Sequence, residues 1–312
     1  MRFGLVGTGY WARITHAPAL ASTPGAELVA VWGRDQAAAA ALAAEYGATA
    51  HADFGTFLDS VDAVAFSVPP HVQVRLAVLA AQAGKHLLLE KPVALSADEA
   101  DKLVAAVEEA QVASVVFFTW RFNTEIRAWL TDEQARGGWS GEGWSGGASI
   151  WLGTSLAPDN PFNTPWRREK GALWDLGPHL VGMLWACLGP VAEVTAVPGK
   201  ADVAHLVLRH QSGVTSTVTT TQSAPEAAAG VTVFVWARLG VPSCRPSSST
   251  RSRRCARPPP SSARERRRAA SRTRATSASA GTSRGCWPRR KRSSLVRVGK
   301  RALATRTDNK FR

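Results

Sequence analysis

The chain has 312 residues, 45% of them hydrophobic, enough for one or two packed cores and too large for a peptide-scale scaffold. Its formal charge of +14 points at first to nucleic acid, but 23 Lys/Arg and 2 Asp/Glu fall in residues 237–312, leaving 15 and 22 for residues 1–236, so a body of −7 carries a tail of +21. No run approaches the ~20 apolar residues of a membrane span, and the first residues resemble a strand followed by glycine rather than a signal peptide, so cytoplasmic residence is expected.

In chain order, residues 3–6 form a buried-type strand, and Gly7-Thr8-Gly9-Tyr10-Trp11-Ala12 comes directly before a helical stretch. This matches G-x-G-x-x-G/A. Gly7 permits the tight turn, Gly9 lets the backbone approach a pyrophosphate, and Ala12 allows close helix packing with the helix N-terminus towards the phosphates. Glycine turns after strands also have ordinary uses, so the motif takes its meaning from the elements C-terminal to it. Strands are predicted over 27–32, 62–68, 85–90 and 113–118. Helices are predicted over 35–46, 71–83 and 96–111, the last opened by the capping box Ser96-Ala97-Asp98-Glu99. Such alternation predicts βαβ units and a doubly wound parallel sheet. The run His86-Leu87-Leu88-Leu89 closes on Glu90-Lys91-Pro92, an ionisable pair at the C-terminal mouth of a buried strand, where open α/β sheets bind ligands. Lysine is costly there unless the site needs an ammonium group or a tuned amine.

After Trp120 the pattern changes. A helix over 124–134 leads to a strand over 147–151, a polar Pro-rich loop over 157–170 and a helix from about 177. Strands over 191–197, 202–209, 213–221 and 230–236, joined by short turns, predict a largely antiparallel open sheet and an α+β domain. The expected division is 1–119, 120–236 and 237–312. Ahead of the second domain's strands stands Gly171-Ala172-Leu173-Trp174-Asp175-Leu176-Gly177-Pro178-His179-Leu180. A helix starting near Asp175 puts Asp175 and His179 on one face, where the carboxylate can orient the imidazole for acid/base work. The other reading is that Asp175 caps the helix and His179 is a satisfied buried histidine.

The order of these motifs over residues 1–236 resembles the glucose-fructose oxidoreductase, inositol dehydrogenase and MocA (Gfo/Idh/MocA) group of NAD(P)-dependent enzymes. The residues that carry it are Gly7 to Ala12, Val68-Pro69-Pro70-His71, Ala83-Gly84-Lys85-His86 leading to Glu90-Lys91-Pro92, and 171–179. The resemblance implies an N-terminal Rossmann domain, hydride transfer between nicotinamide and a hydroxyl-bearing carbon of a sugar, inositol or related polyol, and homo-oligomers formed through the open sheet. It implies that Lys91 contacts substrate hydroxyls and takes part in proton transfer. His179 is then the main acid/base group, held and polarised by Asp175, with Lys91 as the alternative for that role. Cofactor contacts are implied for Gly7, Thr8, Gly9, Tyr10, Trp11, Ala12, Gly33, Arg34, Val68, Pro69, Pro70, His71, Glu90 and Lys91.

Two departures stand out. Where NAD-type enzymes offer an acidic residue for the ribose diol, Trp32 is followed by Gly33-Arg34 before Asp35. Arg34 favours a 2′-phosphate, hence NADP over NAD. Many relatives carry histidine three positions after the Pro-Pro step, and this chain has Gln73. Arg121 at the domain junction and Trp166 are candidate substrate contacts, although Arg121 could equally pair with a surface carboxylate. Cys187, Cys244, Cys255 and Cys286 lack metal or disulfide spacing, and no metal is expected.

From Ala237 onward apolar periodicity gives way to Arg, Ser, Pro and Ala, as in Arg264-Glu265-Arg266-Arg267-Arg268. Such a segment does not offset its ordering entropy, so a disordered polycation is expected, with salt-sensitive binding to acidic surfaces. No aromatic interleaving or folded motif supports a specific nucleic-acid partner. The resemblance stops in mid-domain after Trp236. GC-rich codons for residues 269–295, read two bases on, can encode GEPHPCDVRFGRDVARVLAAAEALVAS, which has a helical apolar pattern. An out-of-frame C-terminus that leaves the second domain incomplete is therefore expected. Two further functional readings stand beside the oxidoreductase: a noncatalytic nucleotide sensor on the same fold, and a nucleic-acid binder acting through the tail.

Overall fold

The computed structural model describes residues 1–137 and 143–237, together with the backbone of a strand at 294–298. These belong to one compact unit. The N-terminal layer runs β1 (Arg2–Val6), α1 (Ala17–Ser22), β2 (Glu27–Trp32), α2 (Gln36–Glu45), β3 (Thr49–His51), α3 (Phe54–Asp59), β4 (Ala63–Phe66), α4 (Pro70–Gln82), β5 (His86–Glu90), α5 (Ala97–Ala110) and β6 (Ser114–Phe117). All strand pairs are parallel, in the order β3-β2-β1-β4-β5-β6. The order turns back between β1 and β4, which places the ligand crevice beyond the C-terminal ends of these strands. All four residues of β4 are buried, as befits a parallel strand covered by helices on both faces.

Local chemistry sets the helix starts. Asp35, Asp53 and Ser96 accept hydrogen bonds from the backbone N–H groups of Ala38, Thr56 and Glu99. The Glu99 carboxylate reaches back to the N–H of Leu95, completing the predicted box one residue earlier than expected. Strand β3 and helix α3 are absent from the sequence-based expectation, being three and six residues long and below the reach of periodicity.

The second layer contains α6 (Thr119–Phe122), α7 (Thr124–Gly137), β7 (Gly146–Leu152), α8 (Pro165–Asp175), α9 (Gly177–Leu188), β8 (Val191–Pro198), β9 (Ala204–His210), β10 (Thr215–Thr221), β11 (Gly230–Trp236) and β12 (Ser294–Val298). Its sheet order is β12-β11-β7-β10-β9-β8, antiparallel except for the β7–β10 pair. Helix α9 supplies Leu180, Met183, Leu184 and Leu188 to a core shared with Val218, Val233 and Val235. The outer side of β8 and β9 is open, with Val194, Val197 and Val207 exposed.

Two expectations are corrected. Within the predicted 157–170 loop, Pro165 occupies the first turn of α8, where its missing N–H costs nothing. The tail expected to lack structure contributes β12 antiparallel along the edge of β11, where a short Ser-Leu-Val-Arg-Val run meets a row of otherwise unpaired backbone groups. The remainder of that tail lies outside the described residues.

Candidate active site

The glycine-rich turn leaves β1 at Gly7, whose φ is +121°. A Cβ there would lie 2.3 Å from the Ser67 carbonyl oxygen, so the turn accepts only glycine. Nothing lies within 4 Å of a Cβ at Gly9, which keeps an open approach to its backbone. Ala12 is fully buried and begins a five-residue π-helical turn, Ala12–His16, that runs into α1. This combination of glycine-only turn, open backbone and close-packed Ala12 fits the pyrophosphate of a dinucleotide.

Glu90 ties this turn to the end of β5. Its Oε1 accepts from Trp11 Nε1 at 2.6 Å and lies 2.9 Å from His16 Nε2. Gln73, fully buried on α4, grips the same chain end. Its Oε1 accepts from the Glu90 N–H at 2.8 Å, and its Nε2 donates to the carbonyls of Glu90 and Val93 at 2.8 and 3.2 Å. The residue standing where many relatives have histidine thus fixes the backbone on both sides of Lys91.

Lys91 Nζ donates to Asp175 Oδ1 at 2.9 Å and to the Asp175 carbonyl at 3.0 Å. Arg167 Nε donates to the other carboxylate oxygen at 2.8 Å. Burial raises the Asp175 pKa, but Lys91 and Arg167 outweigh it and hold the carboxyl at about 2. Asp175 therefore engages two cations, and no hydrogen bond joins it to His179. The predicted shared helix face does not exist: Asp175 ends α8, His179 belongs to α9, and the His179 N–H donates to the Leu176 carbonyl instead of that of Asp175.

His179 sits among aromatic rings. It stacks on Trp120 with centroids 5.2 Å apart, and Trp151 and Phe118 lie at 5.8 and 6.0 Å. Its Nδ1 is buried without a hydrogen-bond partner, and the residue lines the cleft. Burial and then the Lys91 charge push its pKa well below 6.5, against the opposing pull of Asp175, so the imidazole is neutral near pH 7.

These groups line a cleft of about 290 Å³ that reaches from Gly9, Tyr10 and Trp11 past Val68, Pro69 and Pro70 to Lys91, Trp166, Arg167, Asp175 and His179. Of the predicted site residues, His71 is exposed and outside the cleft lining, as is Arg34 at the far end of β2. Gly33 packs against Thr8, where a Cβ would meet Thr8 Cγ2 at 2.8 Å. Arg121 is exposed and lines a different pocket, with Phe122 and Trp185, behind His179. It turns away because α6 aims Trp120 inward instead. Nothing in the sequence singles out Arg167 or His16, although both bond to cleft carboxylates; each falls in a segment without a motif. Among the described residues no cluster of His, Cys, Asp or Glu could hold a metal ion. None of their helices is long and apolar enough to cross a membrane.

A parallel dinucleotide-type sheet facing a mixed sheet, with Lys91, Asp175 and His179 at the junction, defines the class of two-layer NAD-binding oxidoreductases. The chain belongs to the Gfo/Idh/MocA family: residues 1–118 match its oxidoreductase, NAD-binding Rossmann-fold model and residues 147–237 match its C-terminal domain. It is 32% identical over 227 residues to the D-apiose dehydrogenase of Paraburkholderia graminis, covering 69% of this chain and 58% of that protein. It is 28% identical over 152 residues to the levoglucosan dehydrogenase of Pseudarthrobacter phenanthrenivorans, covering 46% and 38%. The chain thus spans less than two thirds of the length of these relatives. Among solved structures it is similar to the WlbA dehydrogenase of Bordetella pertussis in complex with NADH and UDP-GlcNAcA, with TM-score 0.68 and 25% identity over 76% of this chain and 71% of that one.

Proposed function

We propose that this chain transfers a hydride between nicotinamide and a hydroxyl-bearing carbon of a sugar or polyol. The observation that carries this reading is the convergence of Lys91, Asp175 and neutral His179 in a cleft that begins at Gly9 of the nucleotide turn. The sugar dehydrogenases among the relatives support it. The bound nicotinamide supplies the hydride acceptor. Lys91, fixed by Asp175 and by the Gln73 grip on its backbone, donates hydrogen bonds to the reacting hydroxyl. His179 Nε2 takes the hydroxyl proton as the carbonyl forms, and the neutral state set by burial makes it a base. Asp175 is a positioning residue for Lys91 and Arg167 in this scheme, rather than for His179.

Arg34, exposed and without an ion pair among the described residues, supports use of the 2′-phosphate of NADP, since Asp35 is engaged as the cap of α2. The open face carrying Val194, Val197 and Val207 is where a second copy would associate. The functional test is nicotinamide reduction with NAD and NADP across a sugar and polyol panel. Lys91→Ala and His179→Ala should each lower kcat by about 10²- to 10⁴-fold while NADH binding persists. Full turnover in both variants would refute the assignment.

A further inference from the structure

Lys91 and Arg167 share the one carboxylate of Asp175, and the side chains of Lys91, Arg167 and Asp175 are only 12%, 16% and 5% exposed. The other cleft carboxylate, Glu90, is directed to Trp11 and His16 instead. A cation largely removed from water gains from a further partner for its free N–H donors.

Arg167 is the cation with donors to spare. Its Nε is taken by Asp175 and its Nη1 contacts Thr164 Oγ1 at 3.3 Å, whereas Nη2 makes no hydrogen bond among the described residues. Lys91 divides its donors between the carboxylate and carbonyl of Asp175. The guanidinium also lies over the rings of Trp166 and Phe162, 4.6 and 5.3 Å from their centroids, which sets its plane before any ligand arrives. Both rings line the cleft beside it.

We propose that Arg167 determines substrate preference by binding an anionic substituent of the sugar, a carboxylate or a phosphate, through the guanidinium edge that Asp175 leaves free. This rests on the oxidoreductase reading of the same cleft and narrows its substrates to acidic sugars. A charge-assisted hydrogen bond to a fixed guanidinium favours the acidic ligand by roughly 10- to 100-fold over its neutral counterpart.

The test titrates the full chain, loaded with NADH or NADPH, with glucuronate, glucose 6-phosphate and glucose by calorimetry, and follows reduction of NAD and of NADP with the same three compounds. At least one acidic sugar should bind roughly 10- to 100-fold more tightly than glucose, and Arg167→Gln should bring that ratio to about one. Losing the Asp175 tether weakens all three ligands together, so the ratio separates recognition from positioning. Arg167→Lys, which keeps the charge without the planar fork, should retain part of the ratio. Selectivity for glucuronate alone assigns a carboxylate, and selectivity for glucose 6-phosphate alone a phosphate. Equal binding of the three by the unaltered chain, no binding of any, or an unchanged ratio in Arg167→Gln overturns the proposal. Anion-selective binding without reduction of either NAD or NADP would remove the oxidoreductase reading while leaving the role of Arg167 standing.

Discussion

Asp175→Asn keeps the shape of the side chain and removes the one negative charge between Lys91 and Arg167. The Asp175 carboxyl is held at about 2 against 3.8 for the free group, because the two cations outweigh burial. At about 1.4 kcal/mol per pKa unit, that depression favours the ionised, folded form by on the order of a few kcal/mol. A depressed folded pKa gives a contribution that is complete above the unfolded value of 3.8 and is lost as the pH falls towards 2. The substitution should therefore lower the unfolding free energy by a few kcal/mol near neutral pH, up to about 3–5 kcal/mol if both cations stay buried without a partner. Urea unfolding followed by tryptophan fluorescence measures it. The gap between the two proteins should be equal at about pH 7 and about pH 5, both above the unfolded pKa, and should narrow at about pH 3. A gap below about 0.5 kcal/mol, or one that already closes between the two higher values, would refute the shared-carboxylate account.

Other substitutions probe the parts around this centre. Gly7→Ala pushes a methyl group against the Ser67 carbonyl in a left-handed backbone and should weaken NADH binding about tenfold or more in a fluorescence titration; unchanged affinity would show that the turn does not hold the nucleotide. Gln73→Leu strands the backbone N–H and C=O of Glu90 and should cost about 1–3 kcal/mol for each group left unpaired, measured as a lower denaturation midpoint. Because the folded pKa of His179 lies below 6.5, the unfolded chain takes up that proton first as the pH falls. Stability should then decline by up to about 1.4 kcal/mol per pH unit below the unfolded value. His179→Gln should remove that slope, and an identical slope in both proteins would show that His179 is not held neutral.

The nucleotide half was largely visible in the sequence because each signal there is local. Gly7 to Ala12 needs a particular backbone, and the run from His86 to Glu90 needs a fully covered strand, so residue type and position carry the information together. The cluster of Lys91, Asp175 and His179 was visible as a set of residues but not as a network. Asp175 and His179 have helical spacing, and only the junction between α8 and α9 shows that they do not share a helix. Arg167 comes two residues after Pro165 in a polar segment with no period, and its importance comes from folding back onto a carboxylate eight residues later. Arg121 had the attractive chemistry and the junction position, yet the short α6 turns Trp120 inward and leaves the arginine outside.

The bond from Lys91 to Asp175 also gives the site a timetable. Sheet β3-β2-β1-β4-β5-β6 is complete by residue 117, whereas the carboxylate that pairs with Lys91 and the imidazole beside it in the cleft are encoded at 175 and 179. At roughly 5–20 residues per second, the intervening stretch of about sixty residues takes about 3–12 s to be made. Every residue of the nucleotide layer is therefore made before Asp175 can reach Lys91. The Lys91 ammonium acquires its carboxylate partner only when α8 arrives, so the cradle for the dinucleotide is encoded ahead of the cluster that completes the cleft.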